Sequence, residues 1–268
     1  MRTAAVTSRT HPLLKQLRGA FAGNLRLSGG LVAIEGEHLI YEALRSGVRL
    51  ERVFLADDRS APEWLPEGVA VLEVDREVLR SAAETLSPQG IAALVRAPEW
   101  RLDEVCRPES GPLVLIAAGL QDPGNLGTLV RSAEAFGAAC VLTTAGTVSV
   151  WNAKAVRASA GSAFRLPVVR IAREDLLDLR HKGVPILAAV AQDSREGTPP
   201  IEVAEATLHG ACALLIGNEG SGLTQEWLGV ATGRIVIPMP GPVESLNAAI
   251  AGSILLYEAA RQRAERTS

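Results

Sequence analysis

Three glycine-rich loops concentrate the residues able to do chemistry in this 268-residue chain. The first is Gly119-Leu-Gln-Asp-Pro-Gly-Asn-Leu-Gly-Thr-Leu-Val-Arg131. Its spacing is neither the G-x-G-x-x-G of a dinucleotide-binding crevice nor the G-x-x-x-x-G-K-[ST] of a P-loop, so dehydrogenase and P-loop ATPase readings lose their main support. Asn125 is placed to cap the helix that follows, and Arg131 lies one turn past Gly127 among apolar neighbours. An arginine there can be an ion-pair partner or can face a strand-end crevice. The second loop, Ile216-Gly-Asn-Glu-Gly-Ser-Gly-Leu223, has one charge, Glu219, and three glycines that permit positive φ and close backbone approach to a ligand. In the third, Ile237-Pro-Met-Pro-Gly-Pro-Val-Glu-Ser-Leu-Asn-Ala248, three prolines stiffen the backbone, Ser245 is the expected cap of the last helix and Asn247 falls in its first turn.

Each loop is adjacent to a strand in an alternating α/β pattern. Residues 113–117, 139–143, 167–169, 185–190, 211–216 and 234–237 read as strands, with helices at 126–136, 153–160, 173–182, 224–230 and 246–263 between and after them. Apolar runs of this length between helices predict a mostly parallel sheet buried on both faces, and ligands bind at the C-terminal ends of such strands. A smaller alternating unit precedes it, with strands at 31–34, 50–56, 69–74 and 91–95 and helices at 37–46 and 76–83. Residues 98–111 carry prolines and acids without sustained period and read as a linker. The expected layout is therefore domain 1–97, linker 98–111 and domain 112–268.

Composition narrows the class. At 47% hydrophobic and 21% charged, the chain is globular. Cys106, Cys140 and Cys212 are far apart, and none pairs with His11, His38, His181 or His209 at metal-ligand spacing, so no metal is expected. Cys140 and Cys212 lie in apolar runs and read as buried thiols of a reducing compartment. No signal-like or membrane-spanning apolar run occurs, and the expected location is cytoplasmic. The net charge of −3 conceals two acid-free segments. Residues 1–30 carry Arg2, Arg9, Lys15, Arg18 and Arg26, and residues 151–173 carry Lys154, Arg157, Arg165, Arg170 and Arg173. Such stretches either form solvated faces or neutralise phosphates.

Asn125-x-Gly127-x-x-x-Arg131, Gly217–Leu223 and Ile237–Asn247 together resemble the three motifs of the SpoU/TrmH family, RNA ribose 2′-O-methyltransferases of the SPOUT class. Residues 154–168 also look like that family's inter-motif segment. Glu35-Gly-Glu-His-Leu39 and Pro88-Gln-Gly-Ile91 are similar to its L30e-like substrate-binding domain. The resemblance implies a deep trefoil knot, a homodimer and S-adenosylmethionine held by Gly217, Asn218, Gly220, Ile237, Met239 and Leu246. It further implies that Arg131 binds the target phosphate and activates the 2′-hydroxyl, with Asn125, Glu219, Ser245 and Asn247 orienting the reacting groups. Arg9, Lys15, Arg18, Lys154, Arg157 and Arg165 are the expected RNA contacts, and the two-domain layout favours ribosomal RNA. Transfer-RNA methylation and a non-catalytic RNA-binding assembly factor remain as alternatives.

Overall fold

A computed structural model describes residues 5–23, 30–83, 89–191 and 199–267. Arg2, Arg26 and Pro88 lie outside the described residues. The chain divides into two compact units, Met1–Glu99 with Trp151–Arg165, and Trp100–Val150 with Leu166–Ser268.

The first unit is built on a four-stranded sheet in the order β1 (Leu31–Glu35), β4 (Ile91–Arg96), β2 (Leu50–Ala56) and β3 (Val71–Val74). β4 runs antiparallel to β1 and β2, whereas β2 and β3 are parallel. The acid-free N-terminal stretch is no free arm over its described part. Pro12–Phe21 is a helix, opened by the His11 ring accepting from the Leu13 N–H at 3.3 Å, with Pro12 in its first turn. Leu14, Leu17 and Phe21 enter a core with Phe54 and Leu94, while Lys15 stays on the exposed side. The bare charge pattern hid this apolar stripe at helical spacing.

Continuity of the motifs groups residues 151–165 with the second domain, yet they pack in the first unit. Val156 and Phe164 join the core around Ile34, Ile40 and Leu55. Trp151 stacks on Phe164 with ring centroids 6.2 Å apart, and Arg165 reaches the buried Glu42 at 2.9 Å. Gly161, at φ 90°, is required there, since a Cβ would come within 2.9 Å of the Glu42 Cβ.

In the second unit seven strands form a wholly parallel sheet, as the apolar runs predict. Its order is β7 (Val168–Arg170), β6 (Cys140–Thr143), β5 (Leu113–Ala117), β10 (Cys212–Ile216), β8 (Ile186–Ala189), β11 (Gly233–Val236) and β9 (Ile201–Glu202). β5 and β10 are buried throughout and pair in register, Ala117 opposite Ile216. The loops that follow them therefore leave the sheet side by side. The last helix, Ala248–Thr267, packs so closely on the helix Pro123–Ala135 that a Cβ at Gly252 would lie 2.4 Å from Leu129 Cδ2. Its far end is held by Arg263, which donates to the carbonyls of Gly111, Leu208 and Gly210.

Leu17→Ala removes a side chain with no exposure in the helix Pro12–Phe21. Urea denaturation should show a loss of about 2–5 kcal/mol, the usual cost of such a cavity. A change below about 0.5 kcal/mol would mean that the helix contributes nothing to the core.

Candidate active site

The ends of the parallel strands gather the second and third loops around one cavity of about 340 Å³, and the first loop is tied to the second by hydrogen bonds. All of Gly217, Asn218, Gly220, Ile237, Met239 and Leu246 line it, and so do Glu219 and Ser245. Sequence reasoning missed the walls supplied by residues 189–191 beyond β8, by Ile235 on β11 and by Ala251 and Leu255 on the last helix. Those residues are small or apolar and read as ordinary core.

The second loop is a tight hairpin. The N–H of Asn218 donates to the Gly222 carbonyl and the N–H of Gly222 returns to the Asn218 carbonyl, both at 3.0 Å. The Asn218 side chain completes it, its Oδ1 accepting from the N–H groups of Gly220 (2.9 Å) and Ser221 (3.0 Å). Its Nδ2 donates to the Gly119 carbonyl at 2.8 Å, which ties the second loop to the first. Gly217 is obligatory for steric reasons: a Cβ there would stand 2.4 Å from the Gly222 carbonyl carbon and 2.6 Å from the Leu223 nitrogen.

Asn125, Glu219 and Asn247 form one relay across all three loops. Asn247 Nδ2 donates to Asn125 Oδ1 at 3.0 Å, and Asn125 Nδ2 donates to Glu219 Oε1 at 2.9 Å. The backbone N–H groups of Gln121 and Asp122 approach the same carboxylate at 3.4 Å. Burial, the largest single influence, pushes the Glu219 carboxyl up, but the donors of Asn125, its own backbone, Gln121 and Asp122 together outweigh it. The net effect holds it below the ordinary carboxylate range.

Two capping expectations are corrected. Asp122 caps the helix Pro123–Ala135, accepting from the Asn125 N–H at 2.8 Å, which leaves the Asn125 side chain for the relay. Aspartate followed by proline is the helix-start signal that could have revealed this. Asn247, and not Ser245, caps the last helix, its Oδ1 accepting from Ala249 (2.9 Å) and Ile250 (3.2 Å). Ser245 is exposed on the cavity wall instead.

Arg131 is not brought into this cluster. It is exposed on the helix, six residues and so about 9 Å along the axis beyond Asn125. The other cations are dispersed. Arg9, Lys15 and Lys154 are exposed, Arg18 donates to the Arg9 carbonyl at 2.5 Å, and Arg165 is engaged by Glu42 and Ser46. Arg157 lines a different, smaller cavity in the first unit. Among the described residues no three or more His, Cys, Asp or Glu side chains group to hold a metal, and no helix is long and apolar enough to cross a membrane.

The SpoU rRNA methylase family model matches residues 112–257, and a model for RNA 2′-O ribose methyltransferase substrate binding matches residues 33–101. The chain is 35% identical to the 23S rRNA (guanosine(2553)-2′-O)-methyltransferase RlmP of Bacillus subtilis, over 84% of this chain and 86% of the relative. It is 32% identical to the 23S rRNA (guanosine-2′-O-)-methyltransferase RlmB of Photobacterium profundum, over 86% and 97%. In structure it is similar to an AdoMet-bound rRNA methyltransferase from Sinorhizobium meliloti, with a TM-score of 0.83, 28% identity and coverage of 96% and 97%.

Two outcomes follow from this geometry. Gly217→Ala forces the hairpin apart and should weaken ligand binding in the cavity by at least about tenfold in calorimetry, because no rotamer relieves a clash with backbone. Unchanged affinity would refute the close approach. The depressed Glu219 carboxyl contributes stability that is present above about pH 4.3, the ordinary glutamate value, and is lost as the pH falls through its lower folded value. The stability gap between the wild type and Glu219→Gln, read from denaturation midpoints, should therefore be full at pH 7 and should shrink towards pH 3.

Proposed function

Because the chain belongs to the SpoU rRNA methylase family, we propose that it moves a methyl group from S-adenosylmethionine to a ribose 2′-hydroxyl of structured RNA, with 23S ribosomal RNA as its substrate. One observation carries this reading. The residues that the family motifs assign to the cofactor line a single cavity, and Glu219 of the Asn247–Asn125–Glu219 relay is part of its wall. The cavity suits the cofactor, since apolar Ile216, Ile235, Ile237, Met239 and Leu246 offer surface to an adenine ring. The hairpin 217–222 adds backbone that a ligand can approach closely because Gly220 and Gly222 lack side chains. When bound, S-adenosylmethionine supplies an electrophilic methyl group on a sulfonium.

The protein's own task is alignment and help with a weakly acidic hydroxyl. In this reading Glu219, held ionised, fixes the Asn125 amide, and Asn247 fixes it from the opposite end. Ser245 on the wall adds a hydroxyl that can donate or accept. Arg131 binds the phosphate beside the target ribose and polarises the 2′-hydroxyl. A guanidinium donates and does not accept, so as the methyl–oxygen bond forms the hydroxyl proton passes by way of that phosphate to solvent.

The exposed position of Arg131 is what a site shared between subunits requires. Ile250 and Tyr257 are 54% and 56% exposed on the last helix, and with Thr128 and Phe136 they line an apolar groove. A homodimer covers this groove, and Arg131, one helical turn from Thr128, lies beside it. The reading also includes the trefoil knot through the loops at 217–223 and 237–247, and action in the cytoplasm. The first unit engages RNA through Arg9, Lys15, Arg18 and Lys154, which gives salt-dependent affinity. Its partition is a substrate-binding domain at 1–97, a linker and a methyltransferase domain from 112.

Methyl transfer from radiolabelled cofactor to purified 23S rRNA and to total tRNA, with mapping of the product, tests the proposal. Label is expected on a 23S ribose and not on tRNA. Label on tRNA alone moves the substrate, and no label on either leaves an RNA-binding factor. Arg131→Ala should lower kcat by about a hundredfold or more while cofactor affinity stays within about twofold. Full activity in that variant would remove Arg131 from the chemistry.

A further inference from the structure

The helix Glu37–Arg45 of the first unit turns one stripe of side chains to solvent. Its exposed residues are His38, Tyr41 and Arg45, at i, i+3 and i+7, and no acid is among them. Leu39, Ile40 and Ala43 on the other side are buried. On the water side of a helix a tyrosine is a poor choice for local stability, since glutamate, lysine and glutamine all have higher helix propensity. Tyr41 is nevertheless 39% exposed, and the fold holds its ring in place.

Trp64 meets that ring in a T-shaped contact, with centroids 5.4 Å apart and planes inclined at 64°. The indole is fixed in turn, its Nε1 donating to Glu37 Oε1 at 3.2 Å. Glu37 is ion-paired with Arg59, whose guanidinium also donates to the Gln89 carbonyl. The acid at the start of the helix is therefore matched by a cation and does not repel an anion near the ring.

One turn beyond Tyr41, Arg45 has a side chain that is 63% exposed. It donates to Glu42 Oε1 at 3.0 Å, and Arg165 takes the other oxygen, Oε2, at 2.9 Å. The Glu42 side chain is only 11% exposed, so the carboxylate lies beneath and the Arg45 guanidinium outside. Arg45 needs no ligand to be satisfied. What it presents to solvent is a positioned charge whose counter-ion is largely buried and shared with a second arginine.

A braced, exposed ring beside a braced, exposed guanidinium fits a particular partner. A nucleotide offers a base with a π-face for the ring and a phosphate for the guanidinium. An apolar peptide engages the ring and leaves Arg45 unmatched, and a free anion does the reverse. Bases inside a duplex are stacked on one another, so a base that meets Tyr41 must be unpaired. We propose that this stripe is a stacking platform for an unpaired base of the RNA substrate, with Tyr41 against the base and Arg45 on an adjacent phosphate. Every base has a π-face, so the platform selects unpaired strand and not sequence. The proposal rests on the RNA reading of the function and involves none of the three loops.

The test uses the full chain and two fluorescein-labelled RNAs with equal numbers of phosphates, titrated by anisotropy over a range of salt. One is a hairpin with an unpaired loop and the other a blunt duplex. Wild type should bind the hairpin about tenfold more tightly than the duplex. Tyr41→Ala should abolish that preference and leave duplex affinity unchanged, whereas Tyr41→Phe, which keeps the ring, should retain it. Arg45→Gln should lower the slope of log affinity against log salt on the hairpin by about 0.7, the share of one phosphate contact on a single strand. Denaturation midpoints report the fold of each variant, and if Tyr41→Ala fails that control, Arg45→Gln decides. Equal binding of both probes by wild type, an unchanged preference in folded Tyr41→Ala, or an unchanged slope in Arg45→Gln overturns the proposal. Methylation of 23S rRNA without a hairpin preference sinks the platform alone. A hairpin preference that depends on Tyr41, without methyl transfer, sinks the catalytic reading and leaves the platform standing.

Discussion

The parallel pairing of β5 with β10 is the constraint on which the candidate site depends. Nearly a hundred residues separate these strands in sequence, yet Ala117 and Ile216 end them opposite each other, so the loops they release emerge as neighbours. That adjacency allows Asn218 Nδ2 to donate to the Gly119 carbonyl at 2.8 Å, and Glu219 to accept from the Gln121 and Asp122 backbone. The strands themselves are held by complete burial on both faces, so the geometry of the loops is inherited from the hydrophobic core.

Glu219 shows how the site divides the cost of its charge. Removing a carboxylate from water favours the neutral form, and burial acts in that direction here. Besides its own backbone, the compensation comes from donors of Asn125, Gln121 and Asp122, which reach the carboxylate only once the first loop has folded against the second. Asn125 then has both ends of its amide assigned, donating to Glu219 and accepting from Asn247. An amide fixed at both ends has one orientation, and preorganisation of this kind suits groups that must align a reaction.

Much of this was legible in the sequence, for identifiable reasons. Strands such as Leu113–Ala117 and Leu50–Ala56 were readable because buried apolar runs between helices leave few alternatives. The loops stood out because three glycines beside an amide and a carboxylate exceed what a turn needs. Helix starts were less legible, since Asp122 and Asn125 are both acceptable caps and only tertiary contacts decide which side chain the relay takes. The small walls of the cavity, such as Ala189 and Ala251, were illegible, because an alanine in a strand or helix carries no sign of what lies beyond it. The two-residue strand Ile201–Glu202 was equally hidden, too short to show any period.

Charge patterning was the least reliable signal, and its failure is instructive. The acid-free stretch at 151–173 reads as a uniform cationic surface, but acids distant in sequence meet it after folding. Glu42 takes Arg165, and Glu35 shares a cavity wall with Arg157. Glu42 is a buried carboxylate of the first unit, so Arg165 holds residues 151–165 against it as much as it offers charge to solvent. Arg9 and Lys15 are exposed on the same unit, where phosphate can reach them. Counterion release scales with phosphates neutralised, so a chain of net charge −3 needs only a local set of such cations to bind RNA.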